Sequence, residues 1–247
     1  MLGKMSSGIK CVVFDFDDTL ADTKRVVELI KKIEPDKKFL AGSGWVFSKR
    51  EFEKARKIME NKVENQRQKP SKNKGNIYAQ ELLKVLKVPY SKKLAEGMVK
   101  AYWKEKEKNL KLMPHVKKTL KFLKKRKLKL CVVSNISVNT NKKAAKKLGI
   151  LKYFTEFFTS YQHGGIKSEL KIFYNLLKKI NKGRKNKINP EECLMVGNNA
   201  GEDGAAKKLG MKVALLKPTL KGKEHLEKIK PDFMLDDLLD LKRIIKS

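Results

Sequence analysis

The stretch Cys11-Val12-Val13-Phe14-Asp15-Phe16-Asp17-Asp18-Thr19-Leu20 decides the fold. Its first half is an unbroken apolar run rich in Val and Phe, which reads as a strand buried on both faces. Strands of that kind belong to parallel sheets covered by helices. In open parallel sheets ligands bind beyond the carboxyl ends of the strands, so Asp15 and Asp17 stand where chemistry is done. Two carboxylates at alternate positions repel in a partly dry cleft unless a cation or a shared proton relieves them. A hard divalent ion with oxygen ligands, Mg²⁺ before others, is the economical partner.

Working outward, two further apolar runs also end in polar clusters. Leu128-Lys129-Leu130-Cys131-Val132-Val133 leads into Ser134-Asn135, and Cys193-Leu194-Met195-Val196-Gly197 leads into Asn198-Asn199-Ala200-Gly201-Glu202-Asp203. Between them a helix is expected over residues 141–148, stopped by Gly149 in a left-handed cap. A short strand is expected within 153–160. Gly164-Gly165 then breaks the chain before Lys167, and Ile172, Phe173, Leu176, Leu177 and Ile180 share one face of a helix. Pro114 suits the first turn of a helix carrying Val116, Leu120 and Leu123. After the third run come a helix over 205–209, a strand over 212–216, a strand over 233–235 and a helix over 238–245. Strands alternating with helices predict an α/β protein with a doubly wound, Rossmann-like parallel sheet.

Residues 22–111 break that alternation. Leu29, Ile30 and Ile33, then Phe52, Ala55, Ile58, Met59 and Val63, recur at helical spacing. A polar connection over 66–75 contains Pro70, and helices over 76–88 and 91–109 flank Val88-Pro89-Tyr90. The spacing predicts an α-helical domain over 22–111, inserted into an α/β domain made of 1–21 and 112–247. Trp45, Tyr90, Tyr102 and Trp103 are expected in the core of the insert.

The chain has 247 residues, 40% hydrophobic and 35% charged, as globular proteins in water do. No run approaches the roughly 18 apolar residues that a bilayer span needs. The start lacks the apolar core of a secretory signal, so no membrane partner and a cytoplasmic location are expected. Cys11, Cys131 and Cys193 are too few and too far apart for a disulfide framework or a C-x-x-C metal site. Each opens or adjoins an apolar run, which makes it a small core residue. His115, His163 and His225 have no ligand spacing and read as loop or surface residues.

With 59 Lys and Arg against 27 Asp and Glu, the formal charge is +32. Most of it is lysine spread over both parts of the chain, without an arm or an arginine tract. A solvated basic surface explains that pattern, and its field draws in anionic substrates. A nucleic-acid-binding protein with a weakened active site is the alternative of a different class.

Together the three polar clusters, with Lys167 between the last two, resemble the four motifs of the haloacid dehalogenase superfamily of phosphohydrolases. Asp15-Phe16-Asp17-Asp18-Thr19-Leu20 is similar to the first motif and Val133-Ser134-Asn135 to the second. Lys167, with Phe173 six residues on, is similar to the third, and Gly197 through Asp203 to the fourth. The insert resembles the helical C1-type cap of that superfamily. Ile77-Tyr78-Ala79-Gln80-Glu81-Leu82-Leu83, Val88-Pro89-Tyr90 and Met113-Pro114-His115-Val116 are similar to a group of archaeal magnesium-dependent phosphatases.

The resemblance implies a Mg²⁺-dependent phosphatase acting on a small phosphomonoester, such as phosphoglycolate, a sugar phosphate or a nucleotide. Asp15 is then the nucleophile that forms an aspartyl phosphate, and Asp17 the general acid and base. Ser134 and Lys167 bind phosphoryl oxygens, with Thr19 and Asn135 as further substrate-binding residues. Mg²⁺ falls to Asp15, the Asp17 backbone carbonyl, Asn198 and Asp203. A dehalogenase of the same fold has no need of Asp17.

Two positions depart from the superfamily pattern. Asn198 stands where Asp is usual, which implies weaker Mg²⁺ binding. Ser168 stands where Pro is common, and is expected to cap a helix. With the motif strands side by side as in the superfamily, Cys11, Cys131 and Cys193 become near neighbours.

Overall fold

The computed structural model describes residues 8–24, 50, 51, 53–55, 58, 74–135 and 140–246. The chain divides into two compact units, one of residues 1–22 and 111–247, the other of residues 23–110. In the second unit, helix α1 (Lys74–Val85) packs on helix α2 (Lys92–Asn109). Leu82, Leu83, Leu86, Val88, Ala95 and Met98 form their buried core. Ser91 caps α2, its Oγ accepting from Leu94 N at 3.3 Å.

Tyr90 is 53% exposed, against the expectation of a core residue. It follows Pro89 in the connection between the helices, clear of the face they share. Gly75 lies inside α1 rather than in a connection. The expectations for Leu29, Ile30, Ile33, Phe52, Met59, Val63 and Trp45 fall outside the described residues, as do the side chains of Tyr102 and Trp103.

The first unit is a doubly wound α/β sandwich. Its strands are β1 (Cys11–Phe14), β2 (Lys129–Ser134), β3 (Glu156–Thr159), β4 (Cys193–Gly197), β5 (Lys212–Leu216) and β6 (Phe233–Leu235). They lie in the order β3-β2-β1-β4-β5-β6, and every pair is parallel. The chain winds outward from β1 to β3, then starts again at β4 on the other side of β1. That reversal is the topological switch point at which open α/β sheets bind ligands.

One sheet face carries Cys11, Val13, Cys131, Val133, Cys193, Met195, Val213 and Leu215 in a single buried cluster. The helix covering it, Lys171–Asn181, contributes Ile172, Phe173, Leu176 and Ile180, the stripe its spacing predicts. Alternate residues, among them Val12, Phe14, Leu130, Val132, Leu194 and Val196, are fully buried on the opposite face. The helix Val116–Lys125 packs against β2 with Val116, Leu120 and Leu123 buried. Each such side chain contributes about 1.5–3 kcal/mol.

Two helix starts differ from expectation. His115 takes a left-handed backbone (φ 60°), so the helix begins at Val116 and Pro114 precedes it. Ser168 caps nothing. It is exposed in the short 3-10 turn Lys167–Glu169, and the next helix begins only at Lys171, after Leu170 at φ 63°. Gly149 (φ 70°) ends its helix in the left-handed region as expected, and Gly210 (φ 87°) does the same for the 3-10 helix Gly204–Leu209. Among the described residues no helix is long and apolar enough to cross a membrane.

The three thiols are neighbours. Cys11 and Cys193 are register partners across β1 and β4, and Cys11 Sγ lies 3.9 Å from Cys131 Sγ. Hydrogen bonds to Cys131 and Cys193, with burial, push the Cys11 thiol well above its usual range.

Candidate active site

Asp15 extends β1 beyond its last strand residue, its N–H donating to Val196 O at 2.9 Å. The chain then turns sharply. Leu20 N and Ala21 N both donate to Phe16 O at 3.0 Å, and Asp18 takes a left-handed backbone (φ 57°), which Asp tolerates better than most residues. The turn brings Thr19 back over the strand end, where its hydroxyl donates to Asp15 Oδ2 at 3.4 Å.

Lys167 occupies the centre of the site. It is 2% exposed, and its Nζ lies 2.6 Å from both Asp15 Oδ1 and Asp203 Oδ1. Asn135, at the end of β2, holds the lysine backbone by accepting from Lys167 N at 2.9 Å. Asp203 is held in turn by the backbone N–H groups of Asn198 and Asn199, each 2.9 Å from its Oδ2. This carboxylate lies so close to the Cα of Gly197 that a Cβ there would overlap its Oδ2 and Cγ. The glycine is what lets Asp203 fold back beneath the end of β4.

Burial drives the electrostatics. It pushes the Asp15 carboxyl up to about 7, and the Asp203 and Asp17 carboxylates add to the rise while Lys167 opposes it. Burial also disfavours the Lys167 ammonium, but Asp15 and Asp203 outweigh it and hold the lysine charged. Asp15 and Asp203 share one ammonium, so their two carboxylates outweigh its charge, and a divalent cation would neutralise the excess. Among the described residues no three His, Cys, Asp or Glu side chains form a metal cluster. The oxygen donors present at this edge, the Asp15 carboxylate and the Asn198 amide, are hard ligands of the kind that would suit Mg²⁺.

The Asn198 Nδ2 donates to Thr219 O at 2.9 Å, which fixes the end of the amide that is nitrogen and leaves Oδ1 as its acceptor. Around it, residues 219–221 tie two motifs together. Lys221 N donates to Asn198 O at 2.7 Å, Thr219 Oγ1 to Asp18 O at 2.8 Å, and Lys221 Nζ pairs with Asp18 Oδ2 at 2.7 Å. The sequence gives no signal for Thr219 or Lys221, since neither belongs to a motif.

Asn141 is the other residue that the sequence does not single out. It is fully buried at the start of the helix Thr140–Lys147. Its Nδ2 donates to Asp17 Oδ2 at 2.9 Å and to Ser134 Oγ at 3.0 Å, while among the described residues its Oδ1 has no partner. An unmet buried carbonyl costs about 1–3 kcal/mol. A polar residue opening a lysine-rich helix reads as an ordinary cap.

Hydrogen bonds thus link all eight expected residues into two joined groups: Asp15, Thr19, Lys167, Asn135, Asp203 and Asn198 in one, Asp17 and Ser134 in the other. His163 lies apart, stacked on Phe158 with ring centroids 3.8 Å apart, and burial lowers its pKa.

The doubly wound sheet, with this cluster at its switch point, is the Rossmann-like α/β core of a hydrolase. The chain belongs to the haloacid dehalogenase-like hydrolases, whose family model matches residues 9–210. It is 30% identical over 244 residues to a glyceraldehyde 3-phosphate phosphatase of Methanocaldococcus jannaschii, covering 97% of this chain and 98% of that protein. A protein of the same name from Methanothermobacter thermautotrophicus is 30% identical over 246 residues, covering 96% and 100%. Among solved structures it is similar to the HAD hydrolase YfnB of Bacillus subtilis bound to magnesium. That match has a TM-score of 0.70 at 18% identity and covers 97% of this chain and 99% of that one.

Proposed function

We propose that this protein is a Mg²⁺-dependent phosphatase that hydrolyses a small phosphomonoester through an aspartyl phosphate on Asp15. The observation that carries the reading is the Lys167 ammonium, 2.6 Å from both Asp15 and Asp203 at the carboxyl edge of the sheet. The two archaeal relatives favour a short phosphorylated carbon chain over a phosphoglycolate-specific or nucleotide-like substrate. The nucleic-acid alternative is not favoured, because the relatives that match this chain over nearly its whole length are named as phosphatases.

In this mechanism Asp15 attacks phosphorus as the carboxylate, the form that Lys167 favours against the burial that opposes it. Lys167 and the Ser134 hydroxyl stabilise the charge that spreads over the phosphoryl oxygens, and Thr19 and Asn135 complete their surroundings. Asp17 gives a proton to the departing ester oxygen. It then takes one from the water that opens the aspartyl phosphate. Asp203 keeps Lys167 in place between the two carboxylates. Mg²⁺ would be held by the Asp15 carboxylate, the Asp17 backbone carbonyl and Asn198, with Asp203 behind them, and would neutralise phosphoryl charge. The helical unit acts as the C1-type cap that chooses the substrate. Three buried free thiols suit the reducing cytoplasm.

Asp15→Asn should abolish hydrolysis of 4-nitrophenyl phosphate with Mg²⁺ present while circular dichroism stays unchanged. Retained turnover overturns the reading. EDTA should stop the unsubstituted protein and Mg²⁺ restore it, and activity indifferent to both removes the metal from the mechanism.

A further inference from the structure

We infer that Asn141 is a positioning residue that sets the direction of two catalytic hydrogen bonds at once. The inference rests on the phosphatase reading of the site. Its basis is the placement of one fully buried amide nitrogen, 2.9 Å from Asp17 Oδ2 and 3.0 Å from Ser134 Oγ.

The orientation of the amide follows from its neighbours. Turned the other way, its carbonyl would face the Asp17 carboxylate, and two acceptors would meet in a dry environment. The nitrogen therefore takes the Asp17 side, and among the described residues the carbonyl goes without a partner. Both N–H bonds of the amide are then committed, one to each residue. A buried amide that leaves its own oxygen unmet to keep two donors in place serves those two acceptors.

For Ser134 the consequence is a polarity. A hydroxyl can donate or accept, and an N–H donor on its oxygen forces it to accept there. Its own proton then points away from Asn141, and among the described residues the hydroxyl makes no other hydrogen bond. The proton is free to donate to a phosphoryl oxygen. For Asp17 the consequence is a fixed carboxyl plane: Oδ2 is held as an acceptor by Asn141, which sets the direction in which the carboxyl passes its proton to the leaving group. Asn141 touches neither substrate nor reacting atom in this account. It acts through the two residues that do.

The test compares esters that differ in their need for a proton. A 4-nitrophenolate leaves readily without one, whereas an alkoxide does not. Asn141→Ala should lower kcat/KM for a short alkyl phosphate at least about tenfold more than for 4-nitrophenyl phosphate, since general acid help is worth about 10²–10⁴-fold. It should also weaken competitive inhibition by inorganic phosphate, because Ser134 loses its fixed direction. Equal losses on both esters, with phosphate inhibition unchanged, overturn the inference and leave Asn141 a packing residue. Should the alanine variant not fold, Asn141→Ser is read in the same way. It keeps one short donor and should retain either the turnover of the alkyl ester or the phosphate affinity, but not both. Absence of turnover in the unsubstituted protein on every ester overturns the phosphatase reading itself.

Discussion

The two sides of the site are held by different means. Between β1 and β4, Asp15, Lys167 and Asp203 are bound by full charges, with Asp203 fixed by backbone N–H groups. Between β1 and β2, Asp17 and Ser134 are joined by one neutral amide, Asn141. In the proposed mechanism the charged side would balance the charge brought in by anion and metal, and the neutral side would aim protons. Charges hold groups in a dry place at high energetic stake, whereas a neutral amide sets direction without adding to the charge balance.

The largest effect should come from breaking the charged side. Lys167→Met leaves Asp15 and Asp203 buried without their cation, and should lower unfolding free energy in urea by about 3–5 kcal/mol. Adding Asp15→Asn to that variant should recover part of the loss. A double variant no more stable than the single one would mean that the two carboxylates are not what Lys167 holds. Next in size, Gly197→Ala should destabilise by about 1–3 kcal/mol, because the new methyl displaces the Asp203 carboxylate. Wild-type urea curves would show instead that the end of β4 can give way.

Smaller, and dependent on pH, is the effect of Mg²⁺. The Asp15 carboxyl stands at about 7 when folded against an ordinary 3.8. Between those values the folded metal-free protein holds a proton that the unfolded chain has released, so metal-free stability should fall as pH rises through that window. Mg²⁺ must displace the same proton. At a hundred times its Kd it should add about 2.7 kcal/mol at pH 8, and progressively less as pH falls below 7. Thermal melts with and without Mg²⁺ at pH 5.5 and 8 measure the difference. Equal shifts at both would remove Asp15 from the ligands.

How far the sequence reveals each side follows from the same contrast. Cys11–Phe14, Lys129–Ser134 and Cys193–Gly197 are legible because a strand buried on both faces can hold little that is polar, so the residues that end each run stand out. Asp15 and Asp17 are legible because paired carboxylates after such a strand are costly. Lys167 is one lysine among many, and only its place in the motif order marks it. Asn141, Thr219 and Lys221 are hidden because they act through contacts distant in sequence and look like caps or loop residues. Pro114 and Ser168 mislead for a local reason. Left-handed residues at His115 and Leu170, each a non-glycine at positive φ, delay the helices that follow. Tyr90 misleads because an aromatic ring is a poor guide to burial next to a proline in a connection.

The thiol row across β1, β2 and β4 offers an internal clock for opening of the molecule. Cys11, Cys131 and Cys193 sit in the three central strands with no solvent contact, so a thiol-specific dye can reach them only when the sheet itself comes apart. The rate at which the folded protein takes up such a dye therefore reports the free energy of its deepest excursion, free of any fraying at the edges.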